Sequence, residues 1–394
     1  MAQTRTITRK KKAAFRVLDW AVRPLHLTWR PPPPRTGEPR SFLIVEPWGI
    51  GDVILATPLL ASLRDAFPSA SITLLAKPYA RELLEQSQLV DETIGFDFPW
   101  TAFTQKYSPS RYQVGAFEQL FRDLRRRDFD VSLDARRDIR SNLVAYLSGA
   151  RRRIGYDFGG GSHLLTDVLP SGDQNAHKIE DWLALLGPLG VQHPSTRQPR
   201  LAVTLHERTM ARARLRGLGI RSGTPVVGLH PGASHVVRRW EQNRFATVIE
   251  QIARAGRAQF LVFEEREGDS RGIATERPIP RVRGGLREMM AFIAECDLFL
   301  CNDSGPMHIA EALGVPVTAL FGGSRVDWYG PRGEFHETIN VEVMPCRPCF
   351  DACIFSSAIC MEGISSDRVV TSLLRQLDRI NARRIDRATA SGEI

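Results

Sequence analysis

The sequence predicts two doubly wound α/β domains of similar size with a cleft between them. Three observations lead there. The chain has 394 residues, more than one ordinary hydrophobic core organises. Short apolar runs alternate with amphipathic helical stretches along most of it, the pattern of a parallel sheet covered on both faces. That alternation stops near residue 191, crosses a Pro-, Arg- and Gly-containing stretch, and then starts again.

The elements follow in order. "FLIV" is a first strand, followed by a helical stretch from Val53 to Phe67. "SITLLA" reads as a strand, "YARELLEQS" as a helix and "ETIGF" as a strand. A polar, aromatic insertion occupies 97–113, and "AFEQLFRDLRRR" is the next helix. Strand "FDVSLDA" and helices "SNLVAYLSGA" and "KIEDWLALLGPLGV" complete the first half. The second half runs strand "PVVGLHPG", helix "RFATVIEQIARAG", strand "QFLVF", helix "LREMMAFIAEC", strand "DLFLCND", helix "PMHIAEALG", strand "VPVTALFG" and a closing helix "DRVVTSLLRQLDRI". This divides the chain into a tail over 1–40, an N-terminal domain over 41–195, a C-terminal domain over 196–380 and a short tail over 381–394. In open sheets of this kind, ligands bind beyond the carboxyl ends of the strands.

Composition narrows the function classes. The chain is 43% apolar and 25% charged, as soluble globular proteins are. No apolar run reaches the roughly 18 residues that span a bilayer, and no signal-peptide pattern opens the chain, which makes the cytoplasm the expected compartment. The net charge of +9 is concentrated: residues 1–40 hold ten Lys/Arg against Asp19 and Glu38, while the other 354 hold 43 against 42. The body is therefore near neutral, and a nucleic-acid-binding fold is not implied. In the tail, Phe15, Leu18, Val22 and Leu25 fall at helical spacing beside Trp20, Trp29 and the cluster "RKKK". That composition suits the anionic inner surface of a membrane, and equally a disordered arm or a helix docked on the body; Pro24 interrupts the pattern. The four prolines 31–34 form a stiff spacer.

Two strand ends in the second half carry anion-binding equipment. In "NDSGPMHIAEALG", Asp303, Ser304 and Gly305 end a strand, Pro306 suits the first helical position, and His308 lies in the same turn. A helix mouth without an overhanging side chain binds anions through its free N–H groups and dipole. In "HPGASHVVRRW", Gly232 and Ser234 form a loop before Arg238 and Arg239, and a guanidinium grips phosphate oxygens bidentately. Together they suggest a nucleotide diphosphate; neither GxGxxG nor a P-loop is present.

The first half carries the opposite chemistry. In "GIGDVILATPLL", Gly49 and Gly51 make a tight turn and Asp52 opens a helix. Locally, Asp52 reads first as a helix cap, and second as a carboxylate able to act as a general base. Residues 121–153 hold ten arginines against five aspartates, either solvated helix faces or a site for an acidic acceptor; Arg136 and Arg140 are the candidates taken forward. Cys346, Cys349, Cys353 and Cys360 pack four of six cysteines into fifteen residues at C-x₂-C-x₃-C-x₆-C spacing. Disulfides are disfavoured in a cytosolic chain. A structural zinc or iron site competes with a packing motif of free thiols, and the metal site is the expectation carried forward.

Together, "GIGDVILATPLL", "HPGASHVVRRW", "NDSGPMHIAEALGVPVTALFG" and "CRPCFDACIFSSAICMEGI" resemble glycosyltransferase family 9, the heptosyltransferases of lipopolysaccharide core assembly, over about residues 42–375. The resemblance implies the GT-B architecture, with acceptor in the N-terminal domain and nucleotide-sugar in the C-terminal one, hinge closure, and inverting transfer without a catalytic metal or other cofactor. It implies ADP-heptose as donor and a phosphorylated glycolipid as acceptor. It places the family's base on Asp52 and its nucleotide contacts on Asp303, Ser304, Gly305 and His308. Arg238 stands where the family often has Lys. "FEEREGD" replaces a Gly-rich turn, which leaves Glu264 and Glu265 as alternative ribose contacts. An epimerase or hydrolase of sugar-nucleotides on the same fold, and a non-catalytic sugar-binding relative, are the competing classes.

Overall fold

The computed structural model describes residues 9–24, 30–102, 108–157, 159–170, 173, 175–349 and 351–391. The chain forms two compact units, Met1–Arg197 and Gln198–Ile394.

The first unit holds β1 (Ser41–Glu46), β2 (Ser71–Ala76), β3 (Glu92–Gly95), β4 (Val131–Leu133), β5 (Arg152–Tyr156) and β6 (Asp167–Leu169), in the order β3-β2-β1-β4-β5-β6. Every pairing is parallel, with Phe42 opposite Ile72 on one side and Val131 on the other. Phe42 to Val45 are fully buried, which is why the first strand reads as an unbroken apolar run. Its helices are α1 (Arg9–Val22), α2 (Ile50–Ala66), α3 (Tyr79–Leu84), α4 (Val114–Arg126), α5 (Ile139–Leu147) and α6 (Lys178–Leu183). α2 is buried from Val53 through Leu63, so its apolar residues show no single face.

The tail's amphipathic stripe has a protein partner. Phe15 and Val22 of α1, with Leu18 beside them, pack against Ile139, Tyr146 and Leu164. Asp19 accepts a 2.7 Å hydrogen bond from the Gly161 amide. Of the alternatives for this segment, a helix docked on the body is the one observed for α1, with Phe15, Leu18 and Val22 turned to the protein. Val17 and Trp20 stay exposed on the other side. Leu25 and Trp29 lie outside the described residues, as do the side chains of the "RKKK" cluster. Among the described residues, no helix is long and apolar enough to cross a membrane.

The second unit repeats the topology. Its strands are β7 (Val226–His230), β8 (Gln259–Phe263), β9 (Arg281–Val282), β10 (Leu298–Asn302), β11 (Val317–Phe321) and β12 (Glu337–Asn340), in the order β12-β11-β10-β7-β8-β9 and parallel throughout. Counted from the first strand of each unit, both sheets read 3-2-1-4-5-6, the doubly wound order. The helices are α7 (Leu205–Gly217), α8 (Gln242–Arg254), α9 (Leu286–Ile293), α10 (Gly305–Ala312) and α11 (Ser366–Ser391), with short turns of helix at Val326–Tyr329 and Ile359–Glu362. α11 continues through the segment read from sequence as a C-terminal tail.

Candidate active site

In a 3-2-1-4-5-6 sheet the chain leaves in opposite directions from the first and fourth strands. The loops after those two strands therefore part and open a crevice. The motifs singled out by sequence emerge at this point in each unit: Asp52 after β1 and Arg136 after β4, then Arg238 after β7 and Asp303 after β10.

In the first unit, Gly49 caps α2, and Asp52 is the third helical residue. Asp52 Oδ2 accepts from the Gly49 amide at 3.1 Å. The sequence reading of Asp52 as the cap itself is thus one turn-position out: it supplies the reaching-back half of a capping box. Its other oxygen, Oδ1, meets Arg136 Nη1 at 2.8 Å. Burial pushes the Asp52 carboxyl up, but Arg136 and the Gly49 amide outweigh it and hold the group below its ordinary range. The side chain keeps 22% of its surface exposed, so an ionised carboxylate remains within reach of a ligand.

Arg136 is held from several directions. Its Nε lies 3.4 Å from Glu46 Oε1, its guanidinium sits 4.8 Å from the Trp48 ring, and its amide donates to Asp134 Oδ1 at 2.9 Å. Glu46 and Asp134 are buried, and one oxygen of each has no hydrogen-bond partner. Burial raises both carboxyls, that of Glu46 well above its usual range despite Arg136, and that of Asp134 to about 7. Beneath them, buried Lys178 donates to the Ala135 carbonyl at 2.7 Å, and Arg137, at φ 56°, pairs with Asp181 at 2.8 Å. The sequence reading missed Glu46, Asp134 and Lys178. A strand-terminal carboxylate such as Asp134 in "VSLDARR" was the available signal. Arg140, the second acceptor candidate, is engaged by Asp138, with Nε to Oδ1 at 2.9 Å, and its guanidinium lies 5.4 Å from the Phe15 ring. Both candidate acceptor arginines are thus ion-paired to carboxylates.

In the second unit, Ser304 is the N-cap of α10, extended at φ −158°, and its hydroxyl turns away to donate to the Asn302 carbonyl at 3.1 Å. No side chain caps this helix; Pro306 has no N–H and the Met307 amide donates to the Ser304 carbonyl at 3.2 Å, which leaves the Gly305 amide for a ligand. Asn302 ties the two loops together, donating to the Pro231 carbonyl at 2.7 Å and accepting from the Trp240 amide at 3.2 Å. Arg238 reaches back to Asp303, with Nη1 to Oδ2 at 3.2 Å. Arg239 instead donates twice to the Ala233 carbonyl, folding the Gly232–Ser234 loop. His308 is buried, and its Nδ1 has no hydrogen-bond partner, lying 3.5 Å from Glu311 Oε2. The geometry separates the two ribose candidates. Glu264 is buried and accepts from the Ser270 amide and hydroxyl, whereas Glu265 is 68% exposed beside His230 at the end of β7.

The four clustered cysteines are free and line one small apolar pocket with Gly322 and Gly323. They do not fit the expected four-thiolate centre. Among the described residues, no three His, Cys, Asp or Glu gather closely enough to hold a metal. Cys360 is buried on the Ile359–Glu362 turn, while the Cys353 thiol is directed to the Ser357 carbonyl at 3.5 Å. Burial raises the Cys349 and Cys360 thiols, as expected for packed, protonated groups. Cys296 and Cys301 are buried core thiols raised further by burial.

The family model described as "Glycosyltransferase family 9 (heptosyltransferase)" matches residues 117–358. Lipopolysaccharide heptosyltransferase 2 of Escherichia coli K12 is 26% identical over 310 residues, covering 74% of this chain and 85% of its own. A glycosyl transferase of family 9 from Veillonella parvula superposes with a TM-score of 0.73 at 21% identity, covering 87% of this chain and 98% of the other. E. coli ADP-heptose lps heptosyltransferase II superposes with a TM-score of 0.66 at 22% identity, covering 86% and 99%.

Proposed function

The chain belongs to glycosyltransferase family 9, and on that premise we propose that it moves heptose from ADP-heptose to a lipopolysaccharide core acceptor. The donor and acceptor are those named for similar proteins: lipopolysaccharide heptosyltransferase 2 and an ADP-heptose lps heptosyltransferase II. The observation that carries the reading is the pairing of chemistries at two equivalent topological positions: an ionised carboxylate at one, an arginine and an uncapped helix at the other.

In this reading Asp52 takes the proton of an acceptor hydroxyl as its oxygen bonds to the anomeric carbon. The bond from that carbon to the β-phosphate oxygen breaks, and the nucleoside diphosphate leaves with the electron pair. No metal is assigned a part. The departing charge is stabilised by Arg238, the Gly305 amide at the mouth of α10, and the loop carrying Gly232 and Ser234. Asp303 orients Arg238, and His308, in the first turn of α10, is assigned to the donor nucleotide. Glu265 is assigned to the ribose hydroxyls, because Glu264 is already committed to Ser270. Arg136 positions Asp52 and keeps it ionised; Arg140, whose guanidinium also lies 5.9 Å from the Trp48 and Trp100 rings, is assigned to acceptor phosphate. Membrane contact, where the acceptor resides, is assigned to the Val17–Trp20 face of α1.

A thermal-shift series with ADP, GDP, UDP and CDP tests the donor. ADP at about a hundred times its Kd should add roughly 2.7 kcal/mol of stability, with the others well behind. A larger shift from another nucleotide overturns the assignment of the base.

A further inference from the structure

Arg238, to which the proposed function gives the leaving diphosphate, already holds a partner in that edge of its guanidinium. Its Nε donates to Asp351 Oδ1 at 2.5 Å and its Nη2 to Asp351 Oδ2 at 2.9 Å. This is the bidentate fork in which arginine also grips phosphate. Nη1 is turned to Asp303, whose Oδ2 also accepts from the Ser324 hydroxyl. One cation thus faces two carboxylates, and a diphosphate brought to it meets excess negative charge.

Asp351 comes from the cysteine-bearing segment, 113 residues beyond Arg238, and that segment is fastened to the end of β11. The Cys349 amide donates to the Gly323 carbonyl at 3.2 Å, and Arg347 Nε to the Gly322 carbonyl at 2.9 Å. A Cβ on Gly323 would lie 2.5 Å from Cys349 Sγ, so the segment lies flush against the strand end. Asp351 itself sits at φ 67°, a conformation that Asp, Asn and Gly tolerate best. The four thiols pack this loop, and its product at the surface is one carboxylate aimed at Arg238.

We propose that Asp351 is an internal stand-in for the donor's phosphate. It occupies the Arg238 fork in the unliganded enzyme, and the donor diphosphate displaces it. The inference rests on the assignment of Arg238 to the diphosphate. Asp351 lowers donor and nucleotide affinity, because only the fraction of molecules with the fork open is competent to bind.

The test measures ADP binding by calorimetry with the full-length protein. Asp351→Asn keeps the size and tolerates the positive φ, and Asp351→Gly keeps the backbone conformation without any side chain. Both should lower the ADP Kd about tenfold, with the gain carried by the ADP on-rate. On an Arg238→Ala background, Asp351→Asn should give no tightening. Unchanged or weaker ADP binding in both single variants overturns the proposal, and would make Asp351 a group that preorganises Arg238 for the nucleotide. Unchanged ADP affinity in Arg238→Ala alone would instead overturn the assignment of Arg238 to the diphosphate.

Discussion

The two units share one strand order and use it for opposite purposes. After β1 and β4, the first unit gathers carboxylates, Glu46, Asp52 and Asp134, about a single arginine; burial raises Glu46 and Asp134, whereas Arg136 and the Gly49 amide hold Asp52 low. After β7 and β10, the second unit leaves a helix uncapped and places Arg238 before it. Topology fixes where the loops part in both; the proposed function gives one place a proton to remove and the other an anion to hold. Burial does not separate them: Asp52 keeps 22% of its side chain exposed and Arg238 keeps 25%.

The sharpest test of this division is Asp52→Asn. Turnover should fall by roughly 10²- to 10³-fold, about 3 to 4 kcal/mol in the barrier, while ADP affinity stays at the wild-type value. The amide still accepts from Gly49, and Arg136 retains Glu46, so the fold should survive with a modest loss of melting temperature. Steady-state kinetics beside calorimetry reads both quantities. Turnover within threefold of wild type would end the contrast between the units.

A smaller effect is expected in α1, the helix that precedes the first unit's sheet. Phe15→Ala removes an anchor that is only 8% exposed, and should cost about 2 to 3 kcal/mol, or roughly 5 to 10 °C in Tm. An unchanged Tm by scanning calorimetry would mean that α1 does not belong to the unit's core. Deleting the tail to probe membrane binding would therefore also strip the cover from α5.

The mildest test is pH. Asp134 moves from 3.8 to about 7 on folding, so the folded state resists an ionisation that the unfolded chain accepts. Its contribution is whole below pH about 4 and is lost as pH rises to about 7, by at most roughly 1.4 kcal/mol per pH unit. Glu46 acts in the same direction. Asp52 has the opposite sign: its contribution is present above its unfolded value and is lost only in strong acid. Asp134→Asn should flatten the decline in Tm between pH 5 and 7, and a slope equal to wild type would remove Asp134 as its source.

Much of this was legible in sequence, and the rest was hidden for definite reasons. Strands buried on both faces leave unbroken apolar runs, so four strands of each sheet could be read, whereas β5, β6, β9 and β12, short or rich in polar residues, were not; Gly and Pro after a strand announced the turns at Asp52 and Asp303. The periodicity of α1 was readable too, but an apolar stripe does not say whether lipid or protein will cover it. Arg136 could not be matched with Asp52, 84 residues away, because ion pairs carry no spacing rule. The cysteine spacing counted sulfurs without placing them, since Cys360 is buried on the Ile359–Glu362 turn and the Cys353 thiol is directed to the Ser357 carbonyl. Asp351 was lost among those cysteines, with nothing local to mark it as the partner of Arg238.

The central place of each unit's first strand has a consequence for how the protein is made. β1 must pair with β4, Phe42 against Val131, across 89 residues of chain. At a synthesis rate of about 5 to 20 residues per second, that partner is made roughly 4 to 18 seconds later. Throughout the interval the strand Phe42–Val45, wholly buried once folded, lacks its neighbour on that side. The second unit repeats the delay, with Val227 waiting for Leu298. Each unit is thus a slow, non-local folder with an aggregation-prone opening segment. A nascent chain arrested near residue 130 is the form in which a holding chaperone should find β1 most accessible.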